Sequence, residues 1–194
     1  MAKATAKLKR KVSKLKKKIK ELKADLQDGS TGSSVSPLAP VDGFPALPDI
    51  GGVTFAAGAA GVKYKNRTDV MLAHIAAGSA VAGVFTRSST RSAPVLDCQA
   101  KLAELQKTDL VPEALGVVVN SGNSNAFTGQ VGAKSVDFVC AAAADVLKTD
   151  AKNILTSSTG VIGQPLPHER IADILGELSQ NLSPSKGADA AAAI

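Results

Sequence analysis

Aromatic side chains make up only 3% of this 194-residue chain, as five Phe, one Tyr and no Trp. That scarcity argues against a base-stacking surface for nucleic acid and leaves Ala, Val, Leu and Ile to build the core. Histidine occurs twice, at His74 and His168, and cysteine twice, at Cys98 and Cys140. None of them is paired at ligand spacing, so no structural or catalytic metal is expected. His74 sits in an apolar run and reads as a core residue, while His168 follows Pro167 and reads as exposed, which leaves a Ser-His-Asp triad poorly supported. No signal peptide or long apolar span precedes the cysteines, and a reducing, cytoplasmic location is expected.

What the chain does have is an uneven charge. Residues 1–28 carry 11 basic and 3 acidic side chains, while the remainder carries 12 basic and 14 acidic, so the net charge of +6 belongs to the tail. Leu8, Val12, Leu15, Ile19, Leu22 and Leu26 recur at alternating steps of four and three, the seam of a coiled coil or the apolar stripe of an amphipathic helix. Residues 1–28 are therefore expected to form a basic amphipathic or coiled-coil helix, with an acidic partner helix, an anionic membrane surface, nucleic acid or an organellar address as the readings open for it. Gly29-Ser30-Thr31-Gly32-Ser33-Ser34 reads as a flexible linker at 29–34, and residues 35–194 as the folded domain.

In that domain, Pro37, Pro40, Pro45 and Pro48 predict an extended start. Short strands are expected at 53–55, 61–64, 69–75 and 80–87, then a helix over 95–106 begun by Pro94. A buried strand at 117–119, a helix over 132–148, a strand at 153–155 and a helix over 167–182 follow, and Asp189 is placed to cap a last short helix. Strand, loop, helix units after a strand-rich start define a layered α/β fold. At 44% hydrophobic residues the chain is long enough for one full core.

Two strand ends carry the chemistry. The apolar run at Leu155 stops in Thr156-Ser157-Ser158-Thr159-Gly160, and Val117-Val118-Val119 runs into Asn120-Ser121-Gly122-Asn123-Ser124-Asn125. Hydroxyls and backbone N–H groups at such tips can hold developing negative charge. The asparagines and glycines of the second loop are read as scaffolding, because a tight loop needs residues that tolerate left-handed backbone angles. Gly129 to Ser135 looks like a phosphate loop, but Ala133 separates glycine from lysine and breaks the pattern, so it reads as a helix start.

Both tips resemble, almost letter for letter, the bifunctional ornithine acetyltransferase / N-acetylglutamate synthase (ArgJ) family of arginine biosynthesis. Ser36-Pro37-Leu38-Ala39-Pro40, Gly61-Val62-Lys63-Tyr64-Lys65, Arg67-Thr68-Asp69-Val70, Ala82-Gly83-Val84-Phe85-Thr86-Arg87 and Ala93-Pro94-Val95 match in the same order. The resemblance implies the α-chain region of such an enzyme. It also implies a layered α/β sandwich with stacked sheets between helices, completed by a β chain and assembled as an α2β2 heterotetramer.

In the family, the precursor cleaves itself so that a threonine begins the β chain. That threonine's amine serves as base and its hydroxyl carries acetyl from N2-acetyl-L-ornithine to L-glutamate in a ping-pong reaction. The family's Ser-Thr-Gly falls on Ser158, Thr159 and Gly160, which implies an oxyanion hole made by the Gly160 N–H and by the hydroxyl or amide of Thr159. No cofactor is implied, although some relatives also take acetyl from acetyl-CoA. The family's Asn-Met-Ala-Thr-Met-Leu segment, with its nucleophile, is not among these 194 residues, so the domain reads as cut short and inert alone. Phe127 stands where the family often has Cys, a change expected to enlarge the packing there. A related self-cleaving aminopeptidase and a non-catalytic fusion are the alternatives.

Overall fold

The computed structural model describes residues 11, 14–19, 39 and 46–194. The chain divides into two units, 1–46 and 47–194. In the first, residues 11 and 14–19 are helical and exposed, and Leu15 and Ile19 turn apolar side chains to solvent. The rest of the expected basic helix, the 29–34 linker and Pro37, Pro40 and Pro45 lie outside the described residues.

The second unit is a mixed α/β body, as the alternation of periods predicts. Its sheet has four strands in the order β1 (Val53–Gly58), β2 (Val70–Ile75), β3 (Leu115–Asn120) and β4 (Ile154–Ser158). The first two pairings are antiparallel and the β3–β4 pairing is parallel. Helices α1 (Ala93–Leu105), α2 (Gly129–Leu147) and α3 (His168–Gln180) are followed by a short α4 (Gly187–Ala192). Parallel neighbours need a crossover, and α2 supplies it between β3 and β4.

One face of the sheet is the core. Ala56, Val70, Leu72, Val118 and Ile154 meet Val136, Val139 and Ala143 of α2 and Ile171, Leu175 and Leu178 of α3. Glycines let the layers close: a Cβ on Gly116 would lie 2.7 Å from a Leu147 methyl carbon. On the other face Val53, Phe55, Met71, Ile75, Val117, Val119 and Leu155 are half-buried, while Ala73 and Leu115 are fully buried. The two sheet edges are closed differently. At β1, the Phe55 N–H and carbonyl pair with Ser183, at 3.0 and 2.9 Å.

At the other edge, α1 turns side chains to the outer carbonyls of β4, which have no neighbouring strand. Lys101 Nζ donates to the Ile154 carbonyl at 2.9 Å, and Cys98 Sγ to the Thr156 carbonyl at 3.2 Å. Lys101 Nζ also donates to Cys140 Sγ at 3.1 Å and forms an ion pair with Asp97 Oδ2 at 2.8 Å. Both cysteines are buried and free of disulfides.

Three expectations change. Residues 61–64 form a loop rather than a strand, because Asp69, 2% exposed, accepts from the N–H groups of Ala60 and Val62 at 2.7 and 2.6 Å and curls the segment around its carboxylate. Residues 80–87 also form no strand: the segment finds no ladder partner among the described residues and leaves Val84 98% exposed. Asp189 lies in the first turn of α4 without a capping hydrogen bond, and Lys186 occupies the cap.

Burial pushes the Cys140 thiol up to about 11, against the pull of Lys101. For Lys101, burial acts to lower the ammonium value, and the Asp97 carboxylate together with the Cys140 sulfur outweighs it, for a net rise. Above the ordinary thiol range the unfolded chain gives up its cysteine proton while the fold keeps it, so stability falls as pH rises toward 11. The raised Lys101 value acts with the same sign, its contribution being lost as pH climbs through the folded-state value. Cys140→Ala should therefore flatten the alkaline loss of stability between pH 9 and 11 by on the order of 2 kcal/mol in urea titrations. An unchanged slope would show that another group governs it.

Candidate functional site

Parallel pairing sets Asn120 opposite Ser158, so the carboxyl ends of β3 and β4 lie side by side and their loops leave from one edge of the sheet. That edge is where open α/β sheets bind ligands. The two loops are laced together. Thr159 N–H donates to the Asn120 carbonyl at 3.0 Å, Val161 N–H to the Gly122 carbonyl at 3.2 Å, and Ser124 N–H to the Val161 carbonyl at 3.0 Å. Gly160 stands between these bonds at φ +130°. A Cβ there would lie 2.6 Å from the Gly122 carbonyl oxygen and closer still to its carbon.

Both sequence-predicted site residues are exposed at this tip. Thr159 has spent its amide on Asn120, which leaves the hydroxyl as its free donor. Among the described residues, neither that hydroxyl nor the Gly160 N–H has a partner. Two unpaired donors one residue apart, open to solvent on a clamped tip, can receive an oxygen that gains charge.

The asparagine loop is scaffolding, as its composition predicts. Asn120, Asn123 and Asn125 are 3%, 4% and 0% exposed. Asn123 Nδ2 donates to the carbonyls of Gln164 and Pro165 at 3.1 and 3.2 Å, and its Oδ1 accepts from Asn125 N–H at 2.8 Å. Asn125 Nδ2 donates to the Gly132 carbonyl at 2.9 Å, and Thr128 Oγ1 donates to Asn125 Oδ1 at 2.8 Å. Asn125 thereby binds the first turn of α2, and Gly129 to Ser135 starts that helix, as expected.

Phe127 departs from expectation. It is 71% exposed at φ +57° and lines a groove with Leu96 and Ala133, so it does not enlarge the loop's packing. The loop geometry already directs this position outward, whatever its size.

Cationic side chains flank the tip. Lys63 packs on Gly122, where a Cβ would lie 2.7 Å from its own, and Lys63 Nζ donates to Gln164 Oε1 at 3.2 Å. Arg67 lies over the Tyr64 ring at 5.9 Å and donates to Ser121 Oγ at 3.2 Å. Ser121 Oγ in turn donates to the Ala193 carbonyl at 2.8 Å. The positive charge suits a carboxylate-bearing ligand.

His74 lies in β2 but is only half-buried and outside the core cluster, so the core placement expected from its apolar context is not met. His168 is less open than expected: Nδ1 lies 3.0 Å from Ser135 Oγ, and its ring packs edge-on against Phe138 at 4.7 Å. Ser135 has no exposed surface, so this pair ties α2 to α3 and offers no nucleophile. Among the described residues, no three His, Cys, Asp or Glu side chains gather as metal ligands. The pairing of Ser158 with Asn120 escapes sequence reading, because it depends on parallel strands brought together over 38 residues of separation.

The class is thus a mixed α/β protein with a donor-bearing tip where two parallel strands end. The ArgJ family model matches residues 54–194, and the chain belongs to that family. The arginine biosynthesis bifunctional protein ArgJ of Ruegeria pomeroyi is 57% identical over 162 residues, covering 84% of this chain and 38% of the relative. The Nitrobacter winogradskyi protein of the same name is 45% identical over the same shares. This chain therefore spans about 38% of the length of these curated relatives.

Among solved structures, ornithine acetyltransferase from Mycobacterium tuberculosis, complexed with ornithine, superposes with a TM-score of 0.67 at 31% identity, covering 74% of this chain and 75% of that one. The ArgJ protein of Bacillus halodurans gives 0.65 at 27%, covering 74% and 72%.

Substitution of Gly160 by Ala should destabilise the fold by about 3 kcal/mol, combining backbone strain with a clash against Gly122. Chemical denaturation checks this, and a loss below about 1 kcal/mol would mean that the tip can relax.

Proposed function

We propose that this chain is the α-chain region of a glutamate N-acetyltransferase of arginine biosynthesis, and that it supplies the oxyanion half of the active site. The observation that carries this reading is the exposed pair of free donors, the Thr159 hydroxyl and the Gly160 N–H, on a tip held from both sides. The family match supports acyl transfer over the aminopeptidase alternative.

The nucleophile is a threonine delivered by a β chain. Its hydroxyl attacks the acetyl carbonyl of N2-acetyl-L-ornithine while its own amine takes the proton. The carbonyl oxygen gathers negative charge as the tetrahedral centre forms, and the Thr159 and Gly160 donors receive it. Collapse expels ornithine, whose amine leaves with the proton, and an acetyl ester remains on the threonine. The amine of L-glutamate then attacks that ester through a second oxyanion at the same donors, which yields N-acetylglutamate and frees the hydroxyl. Ornithine is the ligand of the similar M. tuberculosis structure.

Autocatalytic cleavage at that threonine and an α2β2 assembly belong to the same proposal. Charge supports the substrates, since every amino acid handled carries a carboxylate and Lys63 and Arg67 flank the tip. Shape supports the β chain: the half-buried apolar face with Met71, Val117, Val119 and Leu155 fits a second sheet layer. No cofactor enters this route, and acetyl-CoA is an optional acetyl source. Two free thiols suit the cytoplasm, and among the described residues no helix is long and apolar enough to cross a membrane.

Combined with a β chain, Thr159→Ala should lower kcat by about 10²–10³-fold with little change in stability, as loss of one oxyanion donor predicts. Wild-type turnover would overturn the assignment. The basic tail is proposed to dock an acidic partner. Removing residues 1–34 should leave acetyl transfer unchanged and abolish capture by a helical peptide rich in Glu, read by pull-down at low and high salt. Loss of turnover on deletion would bring the tail into the mechanism.

A further inference from the structure

Three hydrogen-bonding groups of one buried residue converge on the tip. Asn120 ends β3 at 3% exposure. Its carbonyl takes the Thr159 N–H at 3.0 Å, its Oδ1 takes the Ser158 hydroxyl at 2.7 Å, and its Nδ2 donates to the Asn123 carbonyl at 2.9 Å. We propose that Asn120, acting through Ser158, is a positioning residue that aims the Thr159 hydroxyl and the Gly160 N–H at the reacting oxygen. This inference rests on the acyl-transfer reading above.

The physical need is clear from Gly160. A glycine has little conformational preference of its own, and without outside restraint the peptide plane between Thr159 and Gly160 turns freely about its flanking bonds. An N–H that must meet a short-lived oxyanion gains its value from being aimed beforehand. The plane is therefore held at both ends. On the far side, Val161 N–H bonds to the Gly122 carbonyl at 3.2 Å, and Asn123 Nδ2 staples the chain at Gln164 and Pro165.

On the near side, Asn120 does two separate things. Its carbonyl commits the Thr159 amide, so the hydroxyl is what that residue offers to a ligand. Its side-chain oxygen anchors Ser158, one residue before Thr159, and so fixes the backbone from which that hydroxyl projects. Its side-chain nitrogen links this anchor to Asn123, whose own amide belongs to the far-side staple. One side chain thus joins the two clamps.

A residue serving only the fold would behave differently on removal. It would lower stability and the amount of folded protein, with unchanged turnover per folded molecule. A positioning residue loses kcat while substrate binding persists, because misaim by a fraction of an ångström weakens the transition state more than the ground state.

The test uses this chain assembled with its β chain, measuring kcat, KM and thermal unfolding. Ser158→Ala should lower kcat about tenfold, with KM within about twofold and little change in melting. Ser158→Thr, which keeps a hydroxyl, should restore most of the loss. Asn120→Asp, nearly isosteric but unable to donate to the Asn123 carbonyl, should lose at least as much. If Asn120→Asp fails to fold, the Ser158 pair decides alone.

Wild-type kcat in Ser158→Ala, or a fall in melting with full turnover per folded molecule, would overturn the positioning role while leaving an impaired Thr159→Ala to uphold the function. An unimpaired Thr159→Ala would instead remove the reading on which the inference rests.

Discussion

The parallel pairing of β3 with β4 is the constraint on which the rest depends. Antiparallel strands would place their carboxyl ends at opposite edges of the sheet, and the two polar loops would never meet. Parallel pairing brings Asn120 and Ser158 opposite each other and obliges the chain to spend α2 on the return. The helix then serves twice. Its apolar face closes the core over Val118 and Ile154, and its first turn anchors the asparagine loop through Asn125 and Thr128. Fold and site thus draw on the same crossover.

A strand on the outside of a sheet has backbone groups that need partners, and β4 meets this need with side chains instead of another strand. Lys101 and Cys98 cap its outer carbonyls, and Asp97 and Cys140 complete the shell around the ammonium. Charge partly buried in this way costs solvation, which the ion pair with Asp97 and the hydrogen bonds to Ile154 and Cys140 offset. It also blunts an edge that would otherwise invite further strands. The site end of β4 is thereby steadied by contacts remote from the tip.

Much of this was legible in the sequence, for identifiable reasons. Long apolar periodicity located α2 and α3, and the abrupt change from apolar to hydroxyl residues marked the end of β4, while the choice of Thr159 and Gly160 within that end came from the family resemblance. The extended segments were harder. Residues 61–64 and 80–87 have strand-like composition, yet the first is captured by Asp69 and the second finds no ladder partner among the described residues. Pairing is a property of two segments, and composition describes one at a time. The same limit hid the Asn120–Ser158 contact and the Ser135–His168 pair, both of which join residues more than 30 positions apart.

At the tip, Gly160 faces Gly122, and Gly122 faces Lys63, with no gap for a methyl group at either glycine. Any side chain at either position would therefore force the two loops apart. The chemistry presented at this corner is therefore set by the surrounding side chains of Lys63, Arg67 and Gln164, with the glycine pair as a common floor.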